Sequence, residues 1–118
     1  MAHLSTHVLD TMNGCPAAGM RVTLQRLDGA QVLTLKALTL NNDGRSADGP
    51  LLDAQAMAAG RYRLLFEVAP YFRARGVTLP EPPFIDTVTL DFGIADAAGH
   101  YHVPLLVSPW AYSTYRGS

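Results

Sequence analysis

Apolar residues in this chain recur at every second position, and that period commits it to strands rather than helices. In RVTLQRL (residues 21–27), Val22, Leu24 and Arg26 fall on one side. QVLTLKALTL (31–40) carries two leucine pairs of opposite parity, Leu33 with Leu35 and Leu38 with Leu40, which predicts a bulge between them. Asp28-Gly29 separates these runs as a hairpin turn. Further strands are predicted over 4–10, 61–69, 84–93, 100–108 and 110–118, with Gly14-Cys15-Pro16 as a break after the first. PYFRARG (70–76) has proline at its start and glycine at its end, the asymmetry of a short helix. Residues 51–60 are readable either as a helical turn or as a loop, and LPEPPF (79–84) is a stiff connector. Seven or so short strands at regular spacing predict an all-β chain folded as a β-sandwich.

The length of 118 residues suits one domain spanning 1–118 with a core of its own. Hydrophobic residues make up 48% and charged residues 16%, which points to surface hidden in an oligomer. A formal net charge of −1 gives no electrostatic footprint for nucleic acid or an anionic membrane. Cys15 is the only cysteine, which excludes an internal disulfide and suits a reducing compartment. The first ten residues lack the basic start and apolar run of a signal peptide, and no apolar stretch is long enough to span a bilayer. The expectation is a soluble cytoplasmic protein.

The strand period also sorts the polar side chains. Over 4–10, Leu4, Thr6 and Val8 share one face, and His3, Ser5 and His7 share the other. Over 100–108, Tyr101, Val103, Leu105 and Val107 share a face, opposite His100, His102 and Pro104. The apolar sets belong in the core, so the histidines belong on an outer sheet face. If the two strands are neighbours, His7 and His102 meet there. Three readings fit: solvated surface histidines; a zinc site, for which no firm third ligand is present; or acid–base chemistry, since imidazole titrates near neutrality. Periodicity does not choose among them. Asn42-Asp43-Gly44-Arg45 is a turn by its chemistry, and Arg45 is either a solvated loop charge or a group that binds a carbonyl or developing oxyanion. No phosphate-binding motif or nucleophile elbow is present.

Taken together, LSTHVLD near the start, NNDGR in the middle and YHVPLLVSPWAYSTYRGS at the end resemble the transthyretin-related family from Leu4 to Ser118. The terminal YRGS resembles its hydrolase branch rather than its hormone carriers. The resemblance implies a two-sheet antiparallel sandwich of seven or eight strands with one short helix. It also implies a homotetramer, a dimer of dimers, with active sites lining a central channel. The implied activity is hydrolysis of a cyclic amide in 5-hydroxyisourate, with no cofactor and no metal. Carried over residue by residue, the catalytic positions are His7, Arg45, His102 and Ser118, and the substrate-binding positions are Tyr115, Arg116 and Gly117. An ideal strand would put Tyr115 and Gly117 on one face and Arg116 and Ser118 on the other. Two other functions compete with the hydrolase: a carrier of a small aromatic ligand in the same channel, and a sandwich module that only mediates protein contacts. Trp110 and Tyr112 read as packing residues of the last hairpin, Cys15 as a bystander, and Asp86 and Asp91 as surface charges.

Overall fold

The computed structural model describes residues 2–117. Eight strands and one helix follow in the order β1 (His3–Asp10), β2 (Cys15–Pro16), β3 (Arg21–Asp28), β4 (Gln31–Thr39), β5 (Gly60–Glu67), α1 (Val68–Ala74), β6 (Thr87–Ile94), β7 (His100–Val107) and β8 (Tyr112–Thr114). They form two four-stranded sheets, β2-β1-β7-β8 and β4-β3-β5-β6. All pairings are antiparallel except one: β1 and β7 run parallel over eight paired positions, from His3 opposite His100 to Asp10 opposite Val107. Alternation is the same for parallel and antiparallel strands, so the sequence pattern carries no sign of this pairing.

The sandwich interior follows the predicted faces. In β1, Leu4, Thr6 and Val8 are buried and His3, Ser5 and His7 half-buried. In β7, Tyr101, Val103, Leu105 and Val107 point inward. They meet Val22, Leu24, Tyr62, Leu64 and Phe66 of the facing sheet, in the inward/outward alternation of packed sheets. The bulge expected in the fourth run is present. Leu24 pairs with Lys36 but Gln25 with Thr34, which leaves Leu35 as the extra residue on β4.

Four local expectations are corrected. Gly14-Cys15-Pro16 is not only a break, because Cys15 and Pro16 pair with Asp10 and Leu9 as β2. The helix starts at Val68, two residues before Pro70. The Val68 and Ala69 N–H groups donate to the Asp86 carbonyl at 3.1 and 3.0 Å, so a residue distant in sequence satisfies donors that a helix start leaves open. Pro70 then sits in the first turn, where its missing N–H costs nothing. Residues 84–86, expected to begin a strand, precede β6 instead. Trp110 is 60% exposed, stacked on the still more open Phe84 at 5.9 Å rather than packed inside the last hairpin.

The predicted terminal strand is interrupted for a chemical reason. β8 pairs Thr114 with Leu105, and Gly117 meets His102 in the same register. Between them Tyr115 falls opposite Pro104, which has no N–H to donate. Pro104 keeps its carbonyl occupied by accepting from Thr114 Oγ1 at 2.7 Å.

Candidate active site

The parallel register builds a ladder of side chains on the outer face of the β2-β1-β7-β8 sheet. Its rungs are His3 with His100, Ser5 with His102, His7 with Pro104, and Leu9 with Leu106. His7 and His102 therefore stand one diagonal step apart on the same face. Ring centroids of His3 and His100 lie 4.7 Å apart. The Ser5 hydroxyl is 2.8 Å from His102 Nδ1.

Arg45 reaches this face because its loop is pinned to β1. The Val8 N–H donates to the Gly44 carbonyl at 3.0 Å. Gly44 has φ +72°, and a Cβ there would lie 2.5 Å from the Val8 carbonyl oxygen, so both backbone angle and space demand glycine. Asn41 closes the turn: its Oδ1 accepts from the Asp43 and Arg45 N–H groups at 2.9 and 3.1 Å. Arg45 itself is exposed and takes part in no salt bridge among the described residues.

Burial and the nearby Arg45 both favour the neutral form of the two imidazoles. Burial pushes the His7 pKa below its ordinary 6.5 and the Arg45 cation adds to that, while the Asp43 backbone carbonyl and carboxylate pull weakly upward. His102 is lowered by burial first, then by Arg45, His7 and His3. An unpaired guanidinium beside two neutral imidazoles can stabilise negative charge while either ring takes up a proton.

The terminal segment meets the sheet through Gly117. Gly117 bonds His102 through the backbone in both directions, N–H to carbonyl at 2.7 and 3.2 Å. A Cβ on Gly117 would come within 3.0 Å of His102 Cδ2 and 3.1 Å of its Cβ, so glycine permits the close approach. Tyr115 is 60% exposed and lines one cavity with Arg116, Tyr101, Val103 and Thr114. The Arg116 guanidinium lies 4.4 Å from the Tyr101 ring centroid and donates to the His100 carbonyl at 2.9 Å. The fold thus brings together His7, Arg45, His102 and Gly117, and groups Tyr115 and Arg116 around a separate cavity. Ser118 lies outside the described residues.

A cavity of about 420 Å³ borders the site, lined in part by His3, Ser5, Arg45 and Asp53. Among the described residues no group of three or more His, Cys, Asp or Glu is disposed to hold a metal. No helix among them is long and apolar enough to cross a membrane.

The profile of the HIUase/Transthyretin family matches residues 4–117. The chain belongs to that family. Among its relatives, a 5-hydroxyisourate hydrolase of Ralstonia nicotianae is 53% identical over 118 residues, covering all of both chains. The solved structure of Klebsiella pneumoniae 5-hydroxyisourate hydrolase is 38% identical with a TM-score of 0.75, covering both chains completely. The structure of an (S)-allantoin synthase is 46% identical with a TM-score of 0.93; it matches 98% of this chain, which spans 43% of that longer one.

Two features of this family member went unassigned in the sequence. Ser5 was visible on the histidine face, but its contact with His102 depends on the parallel register. Gly44 stood inside the turn signal, but its approach to Val8 is tertiary.

Proposed function

We propose that this chain hydrolyses 5-hydroxyisourate, opening a cyclic amide of its six-membered ring to give 2-oxo-4-hydroxy-4-carboxy-5-ureidoimidazoline. The observation that carries the reading is the diagonal placement of His7 and His102 on one sheet face beside Arg45, which makes no salt bridge among the described residues. It joins the family membership and the hydrolases among the relatives.

The chemistry follows from these groups. One imidazole takes a proton from water as the water oxygen adds to the amide carbonyl carbon. Negative charge develops on the carbonyl oxygen, and Arg45 offsets it. The imidazolium then passes its proton to the leaving ring nitrogen as the C–N bond breaks. Acid–base catalysis by a positioned imidazole is worth ~10²–10⁴-fold, and a single oxyanion donor on the order of 3 kcal/mol. Ser118 completes the constellation as carried over from the family. Gly117 lets the terminus lie against His102.

Tyr115 and Arg116 are proposed to bind substrate within a homotetramer, where Arg116, directed away from His7 and His102 of its own chain, serves a site shared between subunits. The half-buried Leu9 and Leu106 beside the histidines, and the exposed Trp110, Tyr112 and Phe84, give such an assembly apolar surface to cover. Residues 1–118 act as one cytoplasmic unit in this reading.

The test generates 5-hydroxyisourate freshly from urate and follows its ultraviolet signal with wild type, His102→Ala and a chain lacking Arg116, Gly117 and Ser118. Rapid decay with wild type and at least a 100-fold loss in both variants is expected. Decay no faster than the spontaneous rate with folded wild type would reject the enzyme and leave a ligand-binding channel.

A further inference from the structure

The two histidines of the site differ in how they are held. His7 faces the Asp43 loop, whereas His102 is gripped from both flanks. On one flank its backbone N–H and carbonyl are both bonded to Gly117. On the other, the half-buried Ser5 stands directly opposite in the parallel register, its Oγ 2.8 Å from Nδ1. A Cβ on Gly117 would fall 3.0 Å from Cδ2 of the ring, so the terminus packs on one side of the imidazole while serine holds the other. With Nδ1 engaged, Nε2 is the ring nitrogen left to work.

We infer that Ser5 is a positioning residue: its Oγ accepts from Nδ1–H of His102, which fixes one ring orientation and the Nδ1–H tautomer and leaves the unprotonated Nε2 as the atom that takes a proton from water and returns it to the leaving nitrogen. Which nitrogen of a neutral imidazole carries its proton is set by the hydrogen bond made by the other. A ring free to flip or to mix tautomers would present the correct Nε2 for only part of the time. The cost should fall on the chemical step, since Ser5 acts through His102 and not on the substrate. The inference rests on the hydrolase reading for its catalytic meaning, but the Ser5–His102 bond can be tested without turnover.

The experiment combines nitrogen NMR of ¹⁵N-histidine-labelled full-length protein with kinetics of wild type, Ser5→Ala and Ser5→Thr. In wild type the His102 nitrogens should show a single tautomer. In Ser5→Ala they should move toward averaged shifts, with kcat reduced about fivefold to tenfold, the size expected for one hydrogen bond, and KM within about twofold. Ser5→Thr, which keeps a hydroxyl, should restore the single tautomer and most of kcat. Averaged ring shifts in wild type would overturn the inference even if the alanine variant failed to fold. So would unchanged shifts and unchanged kcat in folded Ser5→Ala. A wild type that binds but does not turn over 5-hydroxyisourate would bring down the hydrolase reading instead, and the ring shifts would still decide whether Ser5 sets the tautomer.

Discussion

Arg45 shapes this site by an unbalanced charge. It depresses the pKa of both His7 and His102 after burial has done so. Replacing it by glutamine removes a cation from beside two imidazoles, and loss of a like charge favours the protonated form. In Arg45→Gln, the pKa of His7 and of His102, followed by NMR titration, should therefore rise toward 6.5. The acid limb of kcat/KM should shift to higher pH, on top of a general loss of rate. Gly44 is the second critical residue. Alanine at φ +72° costs about 1–2 kcal/mol from the backbone alone, and its Cβ would collide with the Val8 carbonyl oxygen. Gly44→Ala should lower the urea midpoint and displace Arg45, so that activity falls more than stability does.

At the level of elements, the helix is tied to β1 through a buried carboxylate. Asp10 has a fully buried side chain and accepts from the Tyr71 hydroxyl at 2.7 Å and from Asn13 N and Nδ2 at 2.9 and 2.7 Å. Burial raises its pKa, but the bonds from Asn13, Tyr71 and the Met12 backbone outweigh that and hold it below 3.8. Burial and the bond to Asp10 together raise the Tyr71 pKa. Tyr71→Phe should cost about 2 kcal/mol, a hydrogen bond to a charged acceptor, and Asp10→Ala about 3 kcal/mol because it strands several donors. Chemical denaturation would measure both. Sequence pattern exposed most of the strands, the faces of β1 and β7 with His7 and His102 outward, and a bulge in the run over 31–40, which the structure places at Leu35, inside the first leucine pair. It did not expose the parallel pairing, because alternation has no direction. Nor did it show the early start of α1, because Asp86, which caps it, arrives from a separate segment. The break in the last strand needed knowledge of which residue faces Pro104.

For the whole molecule, these groups fix the response to acid. The folded pKa values of His7 and His102 lie below 6.5, so the unfolded chain binds more protons once pH drops below that value. Stability should be flat above about pH 7 and should fall as pH drops from 6.5 through the folded histidine values. A second loss should follow below 3.8, as Asp10 protonates. Urea midpoints across this range would show a two-stage decline; a midpoint that rose on acidification to pH 5 would contradict it. The parallel β1–β7 pairing carries a kinetic consequence too. Ser5 and His102 are 97 positions apart, so the ladder that holds the imidazoles closes one of the longest loops the chain can make. Long-range pairing of this kind slows folding, because loop-closure entropy is spent before contacts return it. Return of turnover after dilution from denaturant therefore clocks that closure, and no intermediate lacking it should be even partly active.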